Sequence, residues 1–225
     1  MMRVLVVTAV AAESESVAAG LTAGLRAGHP APAGPTVLAG GVGPAAAAAA
    51  TASALALATA GGTPYDLVVS AGIGGGFPAH APVGSLVVAD AIVAADLGAE
   101  TPEGFLPVEE LGFGRTSHLP PAALAARAAA LTGARCAPVL TVSTVTGTAA
   151  RAAALSGRHP RAAAEAMEGF GVAEAAAAHG VAVLEIRAIS NAVGPRDRAA
   201  WRIGAALAAL RTGFEQLSPL FEESS

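Results

Sequence analysis

Short β-branched runs alternate along this chain with stretches made almost wholly of alanine, and that alternation constrains the fold more than any single motif. The strand-like runs lie at 4–7, 36–38, 67–70, 86–88, 138–142 and 181–186, and alanine-rich runs at 45–60, 122–131, 161–179 and 199–217 predict helices. A short, wholly apolar run suits a strand buried on both faces, and parallel strands need a crossover, usually helical, between them. The pattern therefore predicts an α/β protein with helices on both faces of a largely parallel sheet. Pro44 fits the first turn of the helix after Gly43, and Pro120-Pro121 introduces the next one. No internal repeat or linker divides residues 1–225, whose 53% hydrophobic content suits a single domain with one substantial core.

Several kinds of function are removed by composition. A net charge of -4 with only 13% charged residues offers no basic surface to a nucleic-acid backbone or an anionic membrane, so a small neutral or acidic ligand is the expected partner. All thirteen basic residues are Arg, which leaves neither a Schiff-base lysine nor a P-loop lysine. The single cysteine, Cys136, cannot close an internal disulfide and is expected to be a buried structural thiol. His29, His80, His118, His159 and His179 are scattered without ligand spacing, so no metal is expected. Residues 1–12 loosely imitate a signal peptide, but Glu13 and Glu15 follow at once and a first buried strand fits better. Residues 37–62 carry no charge, yet Gly40, Gly41, Gly43 and Pro44 interrupt them; a soluble, cytoplasmic protein is expected.

Five segments carry candidate chemistry. Gly41-Val42-Gly43-Pro44-Ala45-Ala46 superficially matches the dinucleotide fingerprint, but the acid expected about 20 residues on is missing, which favours a tightly packed strand-to-helix turn. Ala71-Gly72-Ile73-Gly74-Gly75-Gly76 holds more glycine than a bare turn needs and would let a ligand approach the backbone. Glu13, just past the first strand and preceded by small residues, offers either an accessible carboxylate or only a helix-start acid. Glu168 opens an alanine-rich helix between Glu165 and Glu174, and an ordinary solvated acid is the default for all three. Arg187-Ala188-Ile189-Ser190-Asn191 ends an apolar run where strand gives way to loop, the usual place for ligand groups in an α/β protein. Residues 96–118, acidic and rich in Gly and Pro, read as a long loop serving as lid, subunit contact or plain surface.

Together these residues resemble the nucleoside phosphorylase and nucleosidase superfamily nearly end to end. The first strand with Glu13 is similar to the first strand and catalytic carboxylate of the methylthioadenosine/adenosylhomocysteine nucleosidases, and 71–77 to their glycine-rich turn. Ala166-Met167-Glu168 resembles their ribose-binding Met-Glu, 187–191 resembles their Arg-Ala-Ile-Ser-Asp, and Trp201 falls where they carry an aromatic beside the substrate. The resemblance implies a three-layer α/β/α sandwich with a mostly parallel mixed central sheet, no metal or redox cofactor, and at least a dimer. This chain departs from the adenine enzymes at Asn191, where they use an aspartic acid. An amide can donate N–H to purine N7 or to a 6-oxo group, which favours a hypoxanthine-like base. The chain also lacks Arg and Lys between Arg26 and Arg115, so a phosphate nucleophile is disfavoured against water.

Val142-Ser143-Thr144-Val145-Thr146-Gly147-Thr148 and Met167-Glu168-Gly169-Phe170-Gly171 resemble the futalosine hydrolases within this superfamily. That implies cleavage of futalosine to hypoxanthine and dehypoxanthine futalosine in menaquinone biosynthesis. Glu168 is then expected to hold the ribose hydroxyls, Glu13 to orient and deprotonate the attacking water, and Asn191 to stabilise the leaving purine. Arg187 would orient Glu13 or the water, Val145, Thr146 and Thr148 would flank the base, and Met167 and Gly72 would line the substrate. Val10, Ile73 and Trp201 would form apolar walls, and Arg115 and His118 are candidates for the substrate's distal carboxylate. A methylthioadenosine-type nucleosidase, a 6-oxopurine nucleoside phosphorylase and a non-catalytic nucleoside-binding module remain as alternatives.

Overall fold

The computed structural model of the chain describes residues 2–24 and 34–222; Arg26 and His29 lie outside them. In order it runs β1 (Val4–Thr8), α1 (Ala11–Gly24), β2 (Thr36–Ala39), α2 (Pro44–Ala60), β3 (Leu67–Gly76), β4 (Leu86–Val88) and β5 (Ile92–Ala94). There follow β6 (Gly98–Thr101), β7 (Gly104–Pro107), β8 (Ser117–His118), α3 (Ala122–Thr132), β9 (Arg135–Cys136), β10 (Val139–Thr141) and α4 (Ala149–Arg158). The chain ends with β11 (Ala164–Ala166), α5 (Gly169–Ala178), β12 (Ala182–Ala192), a 3-10 turn (Arg198–Ala200) and α6 (Ile203–Glu222).

Among the described residues ten strands form one mixed sheet, and β6 and β7 form a separate hairpin. Parallel pairing joins β1 to β2 and β3, β10 to β5 and β11, β12 to β3, and β4 to β9. Antiparallel pairing joins β11 to β3, β12 to β4, and β5 to β8. Because side chains alternate across a strand, each apolar run serves two layers at once. Val4 and Val6 join the core with Val17 and Leu21 of α1, Ala128 of α3, and Leu210, Phe214 and Leu217 of α6. Leu5 and Val7 face the other way, with Ala47 and Leu55 of α2 and Val172, Ala173 and Ala176 of α5. The result is the three-layer sandwich expected.

Four local expectations are corrected. The predicted helix over 161–179 begins only at Gly169, because Ala164, Glu165 and Ala166 are a strand inserted between β10 and β3. Alanine's helix propensity is a weak prior, and these ladders override it. The glycine-rich 71–76 segment is the second half of β3, kept bare by close neighbours: a Cβ on Gly74 would stand 2.8 Å from the Glu165 carbonyl oxygen. The long loop over 96–118 contains the β6–β7 hairpin and the edge strand β8. Cys136 is exposed, on the two-residue strand β9 at the edge of the sheet. Helices α1 and α4 and strands β5 and β9, too, escaped the alternation pattern.

Candidate active site

The sheet forks along β3. Its first half lies between β1 and β12, with Val7 opposite Ser70, whereas β11 joins only at Gly75 and Gly76. Residues 71–74 therefore lose a strand neighbour on one side, at the carboxyl end of β1. Such a break in strand order is where α/β sheets place ligand groups.

Glu13 fills the gap. Its Oε1 accepts from the Ile73 N–H (2.8 Å), while Oε2 accepts from the N–H groups of Ala9 (2.9 Å) and Val10 (3.2 Å). The reach back to Val10 is half of a capping box at the start of α1, so the helix-start acid is the same residue that fills the fork. Its residue is only 4% exposed, rather than open as expected from the small residues before it. Three amides occupy three of roughly four acceptor directions on a carboxylate, which leaves one for a further donor. Gly72 is required here: a Cβ would stand 2.6 Å from Glu13 Oε1 and 2.8 Å from Arg187 Nη1.

Arg187, expected to orient Glu13 or the water, makes one hydrogen bond from each of its three nitrogens to other partners, while Glu13 acts on it through charge. From β12 it donates through Nε to Glu185 Oε1 (2.9 Å), through Nη1 to Glu168 Oε2 (3.2 Å) and through Nη2 to Ser70 Oγ (2.9 Å). Glu168, buried at the N-cap of α5, also accepts from the Gly43 N–H through Oε1 (3.1 Å). Burial opposes the Arg187 charge, but the carboxylates of Glu185, Glu168 and Glu13 outweigh it and hold the guanidinium above its ordinary range. Burial pushes the Glu185 carboxyl up, against the pull of Arg187. Among the described residues Glu185 Oε2 has no hydrogen-bond partner. Glu185 was missed in the sequence; its signal was an acid two residues before an Arg, on the same face of an otherwise apolar strand.

Asn191 reaches the site through a β-bulge. Ile189 pairs with Gly74 and Asn191 with Gly75, so Ser190 is the extra residue. The Ser190 hydroxyl donates to Asn191 Oδ1 (2.8 Å), and Asn191 Nδ2 donates to the Ala192 carbonyl (3.0 Å), which leaves one amide N–H uncommitted. Across the same sheet row, Glu165 is buried rather than solvated, and its carboxylate takes both the N–H and the hydroxyl of Thr146. Val145 is exposed, and Thr148 caps α4 by accepting from the Arg151 N–H (3.2 Å). Ile73 and Met167 are half-buried at the fork, Val10 is exposed at its edge, and Trp201 lies against the guanidinium groups of Arg196 and Arg198.

The two candidates for the distal carboxylate both lie beside Glu174. His118 Nε2 lies 2.8 Å from its Oε1, and Arg115 Nε 3.8 Å from the same atom. Among the described residues no three His, Cys, Asp or Glu side chains gather as a metal site, and no helix is long and apolar enough to cross a membrane.

Residues 32–216 match the family model described as the phosphorylase superfamily. A futalosine hydrolase of Streptomyces coelicolor is 65% identical over 98% of this chain and 97% of its own length. One from Acidothermus cellulolyticus is 47% identical over 95% of this chain and 89% of its own. In fold the chain resembles a methylthioadenosine/adenosylhomocysteine nucleosidase from Colwellia psychrerythraea, solved with adenine, with a TM-score of 0.74 at 24% identity over 100% of this chain and 98% of that one. The chain belongs to the phosphorylase superfamily and, within it, to the futalosine hydrolases.

Proposed function

We infer that this site cleaves the N-ribosidic bond of futalosine with water, releasing hypoxanthine and leaving dehypoxanthine futalosine for menaquinone biosynthesis. The observation that carries the choice of water is the commitment of Arg187. A phosphate dianion needs uncommitted cations, and the guanidinium beside Glu13 already answers to Glu185, Glu168 and Ser70. A second anion at the fork would meet carboxylates.

The reaction passes through an oxocarbenium-like state, in which positive charge grows on the ribose and negative charge on the departing purine. Glu13, with an acceptor direction left after its three amide bonds, orients the water and takes its proton. Glu168, held by Gly43 and Arg187, accepts the ribose hydroxyls, with Met167 and Gly72 beside the sugar. The uncommitted N–H of Asn191 meets purine N7 or O6, where developing charge makes such a donor worth about 10²–10³ in kcat. Val145 and Thr146 flank the base, and Val10, Ile73 and Trp201 limit solvent. We further read the enzyme as a single cytoplasmic domain, on length and composition, acting as at least a dimer, which its resemblance to the superfamily supports.

The test is to incubate purified protein with futalosine, inosine and methylthioadenosine, with and without phosphate, and identify the base and sugar released. Hypoxanthine from futalosine, independent of phosphate, is expected. Phosphate dependence, or adenine release from methylthioadenosine as the dominant activity, would overturn it.

A further inference from the structure

We propose that Glu165 is a positioning residue of this enzyme: its carboxyl, acting through Thr146, seats the 143–148 loop level with Asn191 and so sets the fit of the purine. The proposal rests on the reading that this loop flanks the base. Gly75 of β3 is the shared reference, paired with Glu165 of β11 on one side and with Asn191 of β12 on the other. The two residues that govern the base site thus hang from one row of the sheet.

Glu165 is only 5% exposed. Its Oε1 accepts from the Thr146 N–H (2.7 Å), and its Oε2 takes the Thr146 hydroxyl in a second, short bond. Three weaker or more peripheral ties hold the same loop: Ser143 N–H to Asp96 (2.9 Å), Arg196 N–H to the Gly147 carbonyl (3.2 Å), and the Thr148 cap. Between the Asp96 and Glu165 anchors, Ser143, Thr144 and Val145 stand exposed as an arch. Burial pushes the Glu165 carboxyl up, Thr146 and Arg151 pull it down, and Asp96 adds to the rise. A carboxyl kept at that cost does something an alanine in the same strand could not, and both of its oxygens are spent on one loop residue.

Glutamine fits the same role, accepting from the Thr146 N–H through its carbonyl and donating its amide to the hydroxyl. Alanine leaves both Thr146 donors unmet. Kinetics of hypoxanthine release from futalosine should be measured for the wild type, Glu165→Gln, Glu165→Ala, Thr146→Val and the Glu165→Ala/Thr146→Val double variant, each well below its melting temperature. A loop that holds the base equally in ground and transition states acts on KM. Glu165→Ala is therefore expected to raise KM about tenfold or more with kcat changed by less than about threefold, a change near 1.4 kcal/mol in binding. Glu165→Gln should restore KM to within about threefold of wild type, and the double variant should be no worse than Glu165→Ala.

Unchanged KM in Glu165→Ala, or effects that multiply in the double variant, would overturn the proposal. So would a loss confined to kcat or to melting temperature. Hydrogen exchange of the 143–148 amides supplies a readout independent of turnover: it should rise in Glu165→Ala and Thr146→Val and not in Glu165→Gln, and equal protection in all would count against the tie. A wild type that fails to release hypoxanthine sinks the proposed function, whereas an active wild type with an indifferent Glu165→Ala sinks only this inference.

Discussion

At the scale of single residues, Asn191 is the position on which we propose that substrate choice turns. Its identity is plain in the sequence, but its aim is not, because that depends on the Ser190 bulge, and one extra residue in a ladder leaves no mark in a run of apolar letters. The Ser190 hydroxyl takes one lone pair of its oxygen, and the N–H that Ala192 leaves free is the donor proposed for the purine. Replacing Asn191 with Asp restores the group of the adenine-specific enzymes, which can donate to N7 when protonated and accept from an exocyclic amine. Asn191→Asp is expected to lower kcat/KM for futalosine by at least about 10²-fold and to raise it for methylthioadenosine, since sites built around hydrogen bonds discriminate strongly. Comparing kcat/KM on both substrates checks this; an unchanged ratio would remove Asn191 from base recognition. Glu185 and Glu165 show the opposite limit, for both are acids that composition places on the surface and the fold buries.

At the scale of elements, two helix N-termini lock together to hold Glu168. Gly171, in the first turn of α5, lies so close to α2 that a Cβ would stand 2.0 Å from the Pro44 carbonyl oxygen, while Gly43, just ahead of α2, donates to Glu168. The Gly41-Val42-Gly43 segment is a turn into α2 with positive φ at Gly41 (93°) and Gly43 (91°), and it reaches Glu168 through the Gly43 N–H. The obstacle is backbone, which cannot swing aside as a side chain would. Gly171→Ala should therefore push the helices apart, destabilising the fold by about 1–3 kcal/mol as overpacked cores do. It should also displace Glu168 from Gly43, so kcat is expected to fall even at temperatures where the variant is fully folded. Denaturant melts paired with turnover at low temperature test both parts, and full activity in the folded variant would separate the helix contact from Glu168. The strand inserted at Ala164–Ala166 marks where element-level legibility ended, since three alanine-rich letters cannot announce a ladder formed with β3, some ninety residues earlier in the chain.

At the scale of the whole molecule, the alternation of runs was enough to give the layers, because each buried strand must be apolar on both faces and each crossover needs a helix. The fork in β3 was not readable, as it arises from which strands pair at which height, and that is decided by contacts distant in sequence. The fork also concentrates buried acid in the protein interior, and this gives the stability a distinctive dependence on pH. Burial raises the folded-state position of both Glu165 and Glu185, the first opposed by Thr146 and Arg151 and reinforced by Asp96, the second opposed by Arg187 and reinforced by Glu168. A carboxyl raised in the fold binds more protons there than in the unfolded chain, so its contribution to the slope of unfolding free energy with pH is negative across the interval between the two positions. The contribution is fully present below the unfolded value of about 4.3 and is lost as pH rises through the raised folded value. Glu165→Gln removes one such group without removing its hydrogen bonds to Thr146. Its stability relative to wild type should therefore increase from pH 4.5 upward and level off once Glu165 is ionised in the folded protein. Urea midpoints of the two proteins across pH 4.5 to 8 measure the difference directly; a difference that stays constant over that range, or shrinks, would mean that burial does not raise the Glu165 carboxyl.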